Sequence, residues 1–388
     1  MIINPAERLL SVAEYYFSSK LRELAGLRAQ GKDIINLGIG SPDLSPADEV
    51  VEELDQWARQ PASHGYQSYT GLPELRKAIS HWLEEMYDVQ FDPSSEILPL
   101  IGSKEGIMHI SMAFLNPGDK VLVPDPGYPT YAAVSNLVQA ETVTYYLDDT
   151  RDWIIDLEHL KTLPLDEVKL MWLNYPNMPT GMKGSMEQFK AVIDLARQHR
   201  FLIVNDNPYS MLFEGRKQSI FQIEGARGVC LELNSMSKSH NMAGWRIGWV
   251  SGESDYIQTV LKVKSNMDSG MFMPVQKAAT KALSLGQTWF QGLSNRYAER
   301  RKVAMEILRL LGCDLNSAQG GMFVWGKAPP HIHSVEKWID ELIHEAGVFI
   351  TPGFIFGSKG RRYVRISLCS EEDVLADALA RIKTYLVK

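Results

Sequence analysis

The sequence predicts an α/β protein, with a large domain in which a mostly parallel sheet is wrapped by helices and a small α+β domain joined to it. Three observations predict it. Between residues 97 and 233, six short apolar runs alternate with helical segments, the pattern left by parallel strands connected through crossover helices. Several of those runs end on residues able to do chemistry, as expected of an open sheet whose ligands gather at the carboxyl ends of its strands. Beyond residue 286 the alternation gives way to one long helical stretch and then a mixed set of short strands and helices.

From the N-terminus, 8–30 has helical periodicity and ends at Gly31, and 34–37 reads as a short strand. Gly38-Ile39-Gly40-Ser41-Pro42-Asp43 follows, whose glycines either bring backbone N–H groups close to a ligand or simply make a turn. Helices are expected at 49–60 and 73–87, separated by the polar, aromatic loop Tyr66-Gln67-Ser68-Tyr69-Thr70-Gly71. The six strands fall at 97–101, 120–123, 142–146, 170–174, 201–204 and 229–233, with helices at 105–115, 131–139 and 185–198. The chain past Trp249 reads as helical, with helices at 255–263, 274–285 and 288–311, the last long enough to bridge two domains. Strands at 322–325, 348–351 and 363–368 and helices at 334–345 and 371–387 complete the small domain. The expected division is 46–285 for the large domain and 1–45 with 286–388 for the small one.

With 388 residues, 45% of them hydrophobic and 22% charged, the chain has the composition of an ordinary globular protein large enough for two domains. A net charge of -7 gives no basic footprint, so nucleic acid is not an expected partner. The three cysteines, Cys230, Cys313 and Cys369, lie far apart without CxxC spacing, which argues against a zinc site and a disulfide framework; no metal is expected. The first ten residues include Glu7 and Arg8 and no apolar stretch of leader length, and no run approaches ~20 apolar residues. The expectation is a cytoplasmic protein.

The chemistry centres on Ser235-Met-Ser-Lys-Ser-His-Asn-Met-Ala-Gly-Trp-Arg-Ile-Gly248. A lysine reacts with carbonyl compounds only as the neutral amine, so it needs burial or neighbouring positive charge. The apolar run 229–234 delivers Lys238 towards an interior, among the hydroxyls of Ser235, Ser237 and Ser239 and the fixed cation of Arg246. Hydroxyls and an arginine make a phosphate cradle, and an amine beside one suggests pyridoxal 5'-phosphate, whose aldehyde needs an amine and whose phosphate needs an anchor. A lysine in an exposed polar turn would read the same way over so short a stretch.

Other strand ends add to this. Gly102-Ser103-Lys104-Glu105-Gly106 is a strand-to-helix junction whose free N–H groups suit an anion. Tyr128, on a proline-rich loop, could stack on a flat ring. Asp206 ends an apolar strand, where a carboxylate wants a cation such as a protonated pyridinium, or else caps a helix. Arg365 lies in the last strand and wants a carboxylate, from a bound acid or an internal salt bridge.

Taken together and in this order, these stretches resemble the class I/II aminotransferases, pyridoxal-phosphate enzymes of fold type I, over nearly the whole chain. Within that family Gly-Ser-Lys-Glu-Gly at 102–106 and Asp268-Ser269-Gly270-Met271-Phe272 look most like the group of LL-diaminopimelate, alanine and aspartate aminotransferases. The resemblance implies that Lys238 carries the cofactor as a Schiff base and serves as general base, then acid. It puts Arg246, Ser235, Ser237, Ser103 and Lys104 at the phosphate, Tyr128 on the ring, Asp206 at the ring nitrogen, and Asn177 and Tyr209 at the phenolic oxygen. Gly40, Asn177, Arg365 and Tyr15 would face the substrate, with Gly40 and Arg365 at its α-carboxylate. Tyr66 would reach the phosphate of a neighbouring subunit, implying a homodimer with shared sites. The activity implied is transfer of the amino group of an L-amino acid to a 2-oxo acid, 2-oxoglutarate or pyruvate. A C–S β-lyase of the same fold, or a pyridoxal-phosphate-binding regulator without turnover, would use the same lysine. Two positions depart from the family pattern: Met178 stands where Asn is usual before Pro-Thr-Gly, and Asn207 where Glu is frequent beside Asp206.

Overall fold

Near-continuous apolar runs make strands that must be covered on both faces. Leu202–Asp206 and Cys230–Ser235 are buried at every position, and Val168–Leu173 at all but Lys169. The computed structural model describes residues 3–9, 16–215 and 217–387. Its principal sheet has eight strands in the order Ile97–Leu100, Gly248–Gly252, Cys230–Ser235, Leu202–Asp206, Val168–Leu173, Lys120–Asp125, Glu141–Asp148, Ile154–Ile155. The run of pairs from Cys230–Ser235 to Glu141–Asp148 is parallel throughout.

All six strands expected in this region are in that sheet, and two more join it. Gly248–Gly252 runs antiparallel between Ile97–Leu100 and Cys230–Ser235, in a stretch partly read as helical from sequence. Its flanking glycines dilute the strand pattern, yet at Gly248 glycine is required. A Cβ there would lie 2.7 Å from the Asn234 carbonyl oxygen and 2.8 Å from the Ser103 amide nitrogen. That close approach seats the start of helix Ser103–Phe114 against the strand leading from Lys238.

The small domain is built on a four-stranded antiparallel sheet, in the order Asp314–Leu315, Phe323–Lys327, Tyr363–Ser367, Thr351–Pro352. The single strand expected at 348–351 is two. Val348–Phe349 pairs in parallel with Ile35–Asn36, while Thr351–Pro352 pairs with Tyr363–Ser367. The Ser367 amide also donates to the Leu37 carbonyl at 2.7 Å, so the N-terminal segment is sewn to the C-terminal strands.

The long helix Gln287–Leu310 buries Tyr297, Arg300, Ala304, Ile307 and Leu308 along one side. Arg300 is 1% exposed and donates to both Asp43 oxygens at 2.7 and 2.8 Å, to Glu372 at 3.1 Å and to the Leu368 carbonyl at 3.0 Å. It holds the segment just after Gly40 against the end of the strand carrying Arg365. Breaking one side of such a buried pair leaves an uncompensated charge, so the clamp resists opening. Of the expected helix 8–30, a short turn at Glu7–Leu9 and the helix Tyr16–Ala29 are described. Tyr15 lies outside the described residues. Among the described residues no helix is long and apolar enough to cross a membrane.

Candidate active site

The strand ends converge on a cavity of about 410 Å³. Lys238 enters it from the one-turn helix Met236–Ser239, which starts directly after Cys230–Ser235 and is capped by the Ser235 hydroxyl accepting from the Ser237 amide at 3.2 Å. The Lys238 amine donates to the Gly40 carbonyl at 2.6 Å. Burial pulls its pKa below the ordinary lysine value. Arg365 and Arg246 push the same way, while the Cys369 thiol opposes them. A lysine so placed gives up its proton more readily than one in water.

Beside it lies the anion cradle. Gly102, at φ +80°, turns the chain into helix Ser103–Phe114, leaving first-turn N–H groups without intrahelical partners. A Cβ on Gly102 would run into the Arg246 guanidinium, so only glycine leaves the arginine room to lie over the helix start. Arg246 donates to the Ala243 carbonyl at 2.9 Å and, more weakly, to the Ser237 hydroxyl at 3.4 Å. Ser103, Lys104, Ser235, Ser237 and Arg246 all line the cavity.

Asp206 stands at the floor, 5% exposed. The Tyr131 hydroxyl donates to its Oδ2 at 2.8 Å, and Oδ1 has no hydrogen-bond partner among the described residues. Burial raises its pKa from the ordinary 3.8 to about 7, with the Tyr131 hydrogen bond pulling the other way. Tyr131 is fixed in turn by stacking on Trp172, rings 5.1 Å apart and 6° from parallel. Nothing in its sequence setting marked out Tyr131, in the first turn of helix Thr130–Leu137, from Tyr128 three residues before it. Tyr128 and Tyr209 both line the cavity, and burial, aided by Asp206, raises the Tyr209 phenol well above its usual value.

Arg365 forms the opposite end. It is 4% exposed, with Nη2 donating to the Gly38 carbonyl at 2.9 Å. Gly40 lies between, so close to Phe323 that a Cβ would be 2.6 Å from the ring.

Asn177 is a correction. It does not line the cavity: its Oδ1 accepts from the Thr180 hydroxyl at 2.7 Å and its Nδ2 donates to the Asn174 carbonyl at 3.3 Å, so the carboxamide folds its own turn. Asn174 and Met178 line the cavity instead. Asn174 ties the floor together, donating to the Asp206 carbonyl at 2.7 Å and accepting from the Met178 amide at 2.9 Å. The spacing before Pro-Thr-Gly was the available signal, since the residue next to that proline, Met178, faces inward. Tyr66 is also outside this cavity, 93% exposed. Away from the cavity, Glu105, His109 and Asp268 bring possible ligand atoms within 4.8 Å of one another, but Asp268 already pairs with the buried Lys264 ammonium at 2.9 Å.

A buried amine, a carboxylate with one oxygen unpartnered, and a helix-start cradle at the ends of a parallel sheet define an enzyme for amine–carbonyl chemistry on a phosphorylated cofactor. These features fit pyridoxal 5'-phosphate: the cradle for its phosphate, the Asp206 oxygen for its ring nitrogen, Lys238 for its aldehyde. The sequence profile of the family described as aminotransferase class I and II matches residues 32–382. The LL-diaminopimelate aminotransferase of Aquifex aeolicus is 37% identical over 97% of this chain and 98% of its own. That of Desulforudis audaxviator is 38% identical over 98% and 97%. Among solved structures, substrate-bound BacF from Bacillus subtilis superposes with a TM-score of 0.94 at 33% identity, over 99% of this chain and 98% of the other. A Thermus thermophilus aspartate aminotransferase double mutant gives 0.92 at 25% identity, over 99% and 100%. The chain belongs to the class I and II aminotransferases of fold type I. It is a pyridoxal-phosphate-dependent enzyme that moves the amino group of an amino acid to a 2-oxo acid.

Proposed function

We propose that Lys238 is the residue that bonds the cofactor and moves the proton in this transfer, and that Arg365 holds the α-carboxylate of donor and acceptor in turn. The observation that carries the reading is the pairing of Lys238 with the unpartnered Asp206 oxygen on one cavity surface. When bound, pyridoxal 5'-phosphate supplies an aldehyde that condenses with amines and a ring that accepts electrons from the donor's α-carbon. The chain does the rest. The Lys238 Nζ, whose pKa burial lowers, takes the α-proton and delivers it back as general base and then acid. Asp206 keeps a ring nitrogen protonated by offering it a desolvated carboxylate. Arg246, Ser103, Lys104, Ser235 and Ser237 would hold the phosphate, Tyr128 would face the ring, and Tyr209 would donate to the ring oxygen. The Gly40 carbonyl, which accepts from Lys238, borders the place the carboxylate takes.

The division of the chain into 46–285 and 1–45 with 286–388 follows this chemistry, one part holding the cofactor and the other presenting Arg365. We further infer a cytoplasmic homodimer in which Tyr66 reaches the neighbouring subunit's phosphate site. In its support, the loop bearing the exposed Tyr66 is held in place: the Lys264 ammonium donates to the Tyr69 carbonyl at 2.9 Å, and Gly270, at φ +83°, backs tightly against Gln67.

The test is product analysis on cofactor-saturated protein. An L-amino acid alone should give one equivalent of its 2-oxo acid per site, and continuous turnover should require added 2-oxoglutarate or pyruvate. Pyruvate and ammonia from cystathionine without an oxo-acid acceptor would replace this reading with the lyase. Bound cofactor that no amino acid converts would replace it with a non-catalytic regulator.

A further inference from the structure

Next to the phosphate cradle runs a chain of charged side chains that the transfer chemistry does not use. Lys264, 1% exposed, ends the helix Ser254–Lys264. Its ammonium lies 2.9 Å from each Asp268 oxygen and donates to the Tyr69 carbonyl, also at 2.9 Å. Asp268 Oδ1 accepts in addition from the Gly270 amide at 2.8 Å, which shapes the turn that backs against Gln67. Asp268, His109 and Glu105 bring one ligand atom each within 4.8 Å of one another. His109 is 1% exposed, with Nε2 3.3 Å from Glu105 Oε1, and Glu105 Oε2 accepts from the Ile101 amide at 2.7 Å. Ile101 and Glu105 bracket Ser103 and Lys104, which line the cavity at the cradle.

A buried lysine–aspartate pair adds little net stability, because both charges give up water to form it. What it provides is geometry. An ammonium has three donors and joins acceptors from separate segments, which an apolar side chain of similar length cannot do. Here the acceptors belong to the turn at Asp268 and to the loop bearing Tyr66. The far end of that loop is fastened differently. The Leu72 amide donates to Gln276 Oε1 at 2.7 Å, and Gly71, at φ +74°, sits so close to Pro99 that a Cβ would be 2.9 Å from its ring. Pro99 belongs to Ile97–Leu100, the strand that runs into Gly102 and the cradle. Loop and cradle are thus joined twice, by packing at Gly71 and by the charged chain that starts at Lys264.

We propose that Lys264 is a positioning residue for the cofactor: through Asp268, His109 and Glu105 it ties the Tyr66 loop to the phosphate-binding helix start of its own subunit. Each subunit's phosphate site and the tyrosine it lends to its neighbour are then held as one unit. The inference rests on the shared-site homodimer reading above and adds to it the device that sets where Tyr66 stands.

The experiment titrates pyridoxal 5'-phosphate into the cofactor-free protein and records the phosphorus resonance of the bound phosphate. It compares wild type, Tyr66→Phe, the charge-free pair Lys264→Met with Asp268→Asn, and the combination of all three substitutions. Asparagine keeps an acceptor for the Gly270 amide, and circular dichroism checks the fold. Tyr66→Phe and the charge-free pair are each expected to weaken cofactor binding about tenfold and to shift the resonance in the same direction. Because both act through one contact, the combination should bind within about twofold of the weaker of the two. Losses that multiply, or a charge-free pair that binds as wild type does, overturn the proposal. His109→Leu breaks the chain at its middle and should show the same non-additivity with Tyr66→Phe; multiplied losses there overturn the link through His109. Should the charge-free pair not fold, Lys264→Gln, uncharged and shorter, takes its place with the same expectation and the same refutation. If Tyr66→Phe alone moves neither affinity nor resonance, the shared-site reading fails and this inference falls with it; if Tyr66→Phe moves both and the Lys264 variants move neither, this inference fails alone.

Discussion

One wall of the cavity, with Asp206, Ser235 and Ser237, comes from the ends of neighbouring strands in a single sheet. The wall with Arg365 is assembled from six separate places: the helix Tyr16–Ala29, the segment after Ile35–Asn36, the Met178 turn, the strand Phe323–Lys327, the turn Gly353–Phe356 and the strand Tyr363–Ser367. The first wall is polar and presents hydroxyls, a carboxylate and a cation. The second is apolar around a single guanidinium. A cofactor that never changes can be met by a rigid strand-end array, whereas a changing substrate is met by a surface built from pieces that can vary independently. Loss of a group on the first wall should therefore strike cofactor and turnover alike, and loss of one on the second should strike substrate capture alone.

The largest effect belongs to Lys238. Lys238→Ala should lower turnover about 10⁴-fold or more, without change in the folded state seen by circular dichroism, because it removes the amine that bonds the cofactor and moves the proton. Asp206→Asn should lower the half-reaction rate on the order of 10²-fold, measured under cofactor saturation.

The same carboxylate has a stability signature. The folded, cofactor-free protein keeps the Asp206 proton up to about pH 7, whereas an ordinary aspartate releases it near 3.8. The contribution of this group is fully present below pH 3.8 and is lost as pH rises towards 7, up to about 4 kcal/mol. Denaturant unfolding from pH 4 to 8 should show that decline in the cofactor-free wild type and less of it in Asp206→Asn. Tyr131→Phe removes the hydrogen bond that holds the Asp206 pKa down, so its decline should extend to higher pH.

On the second wall, Arg365→Lys should raise KM for amino acids roughly 10 to 10²-fold by losing a two-bond fork, with cofactor affinity unchanged by absorbance titration. Equal losses of both would break the contrast between the walls. The smallest effect is expected at Gly102→Ala, where a left-handed backbone and displacement of Arg246 should weaken cofactor binding by about tenfold and leave KM for amino acids alone.

The same division explains what could be read before the fold was known. Strand-end residues such as Lys238, Asp206 and Ser103 were legible because a short apolar run followed at once by a chemical group is a local signal. So was the parallel sheet, whose runs are buried on both faces. Gly248–Gly252 was hidden because its defining residue is a glycine demanded by Ser103, far away in sequence. The aromatic box around Arg365 was hidden for the same reason: Phe17, Phe323 and Phe356 are ordinary core residues until the fold gathers them. Asn177 shows the limit of local reading, since two adjacent positions in a turn point opposite ways and only their hydrogen bonds tell which faces the cavity.

The most direct test of the central claim is reduction of the cofactor-saturated protein with borohydride, followed by digestion and mass measurement of the peptides. The pyridoxyl mass is expected on the fragment containing Lys238 and on no other lysine. Full occupancy with that fragment unlabelled would contradict the assignment.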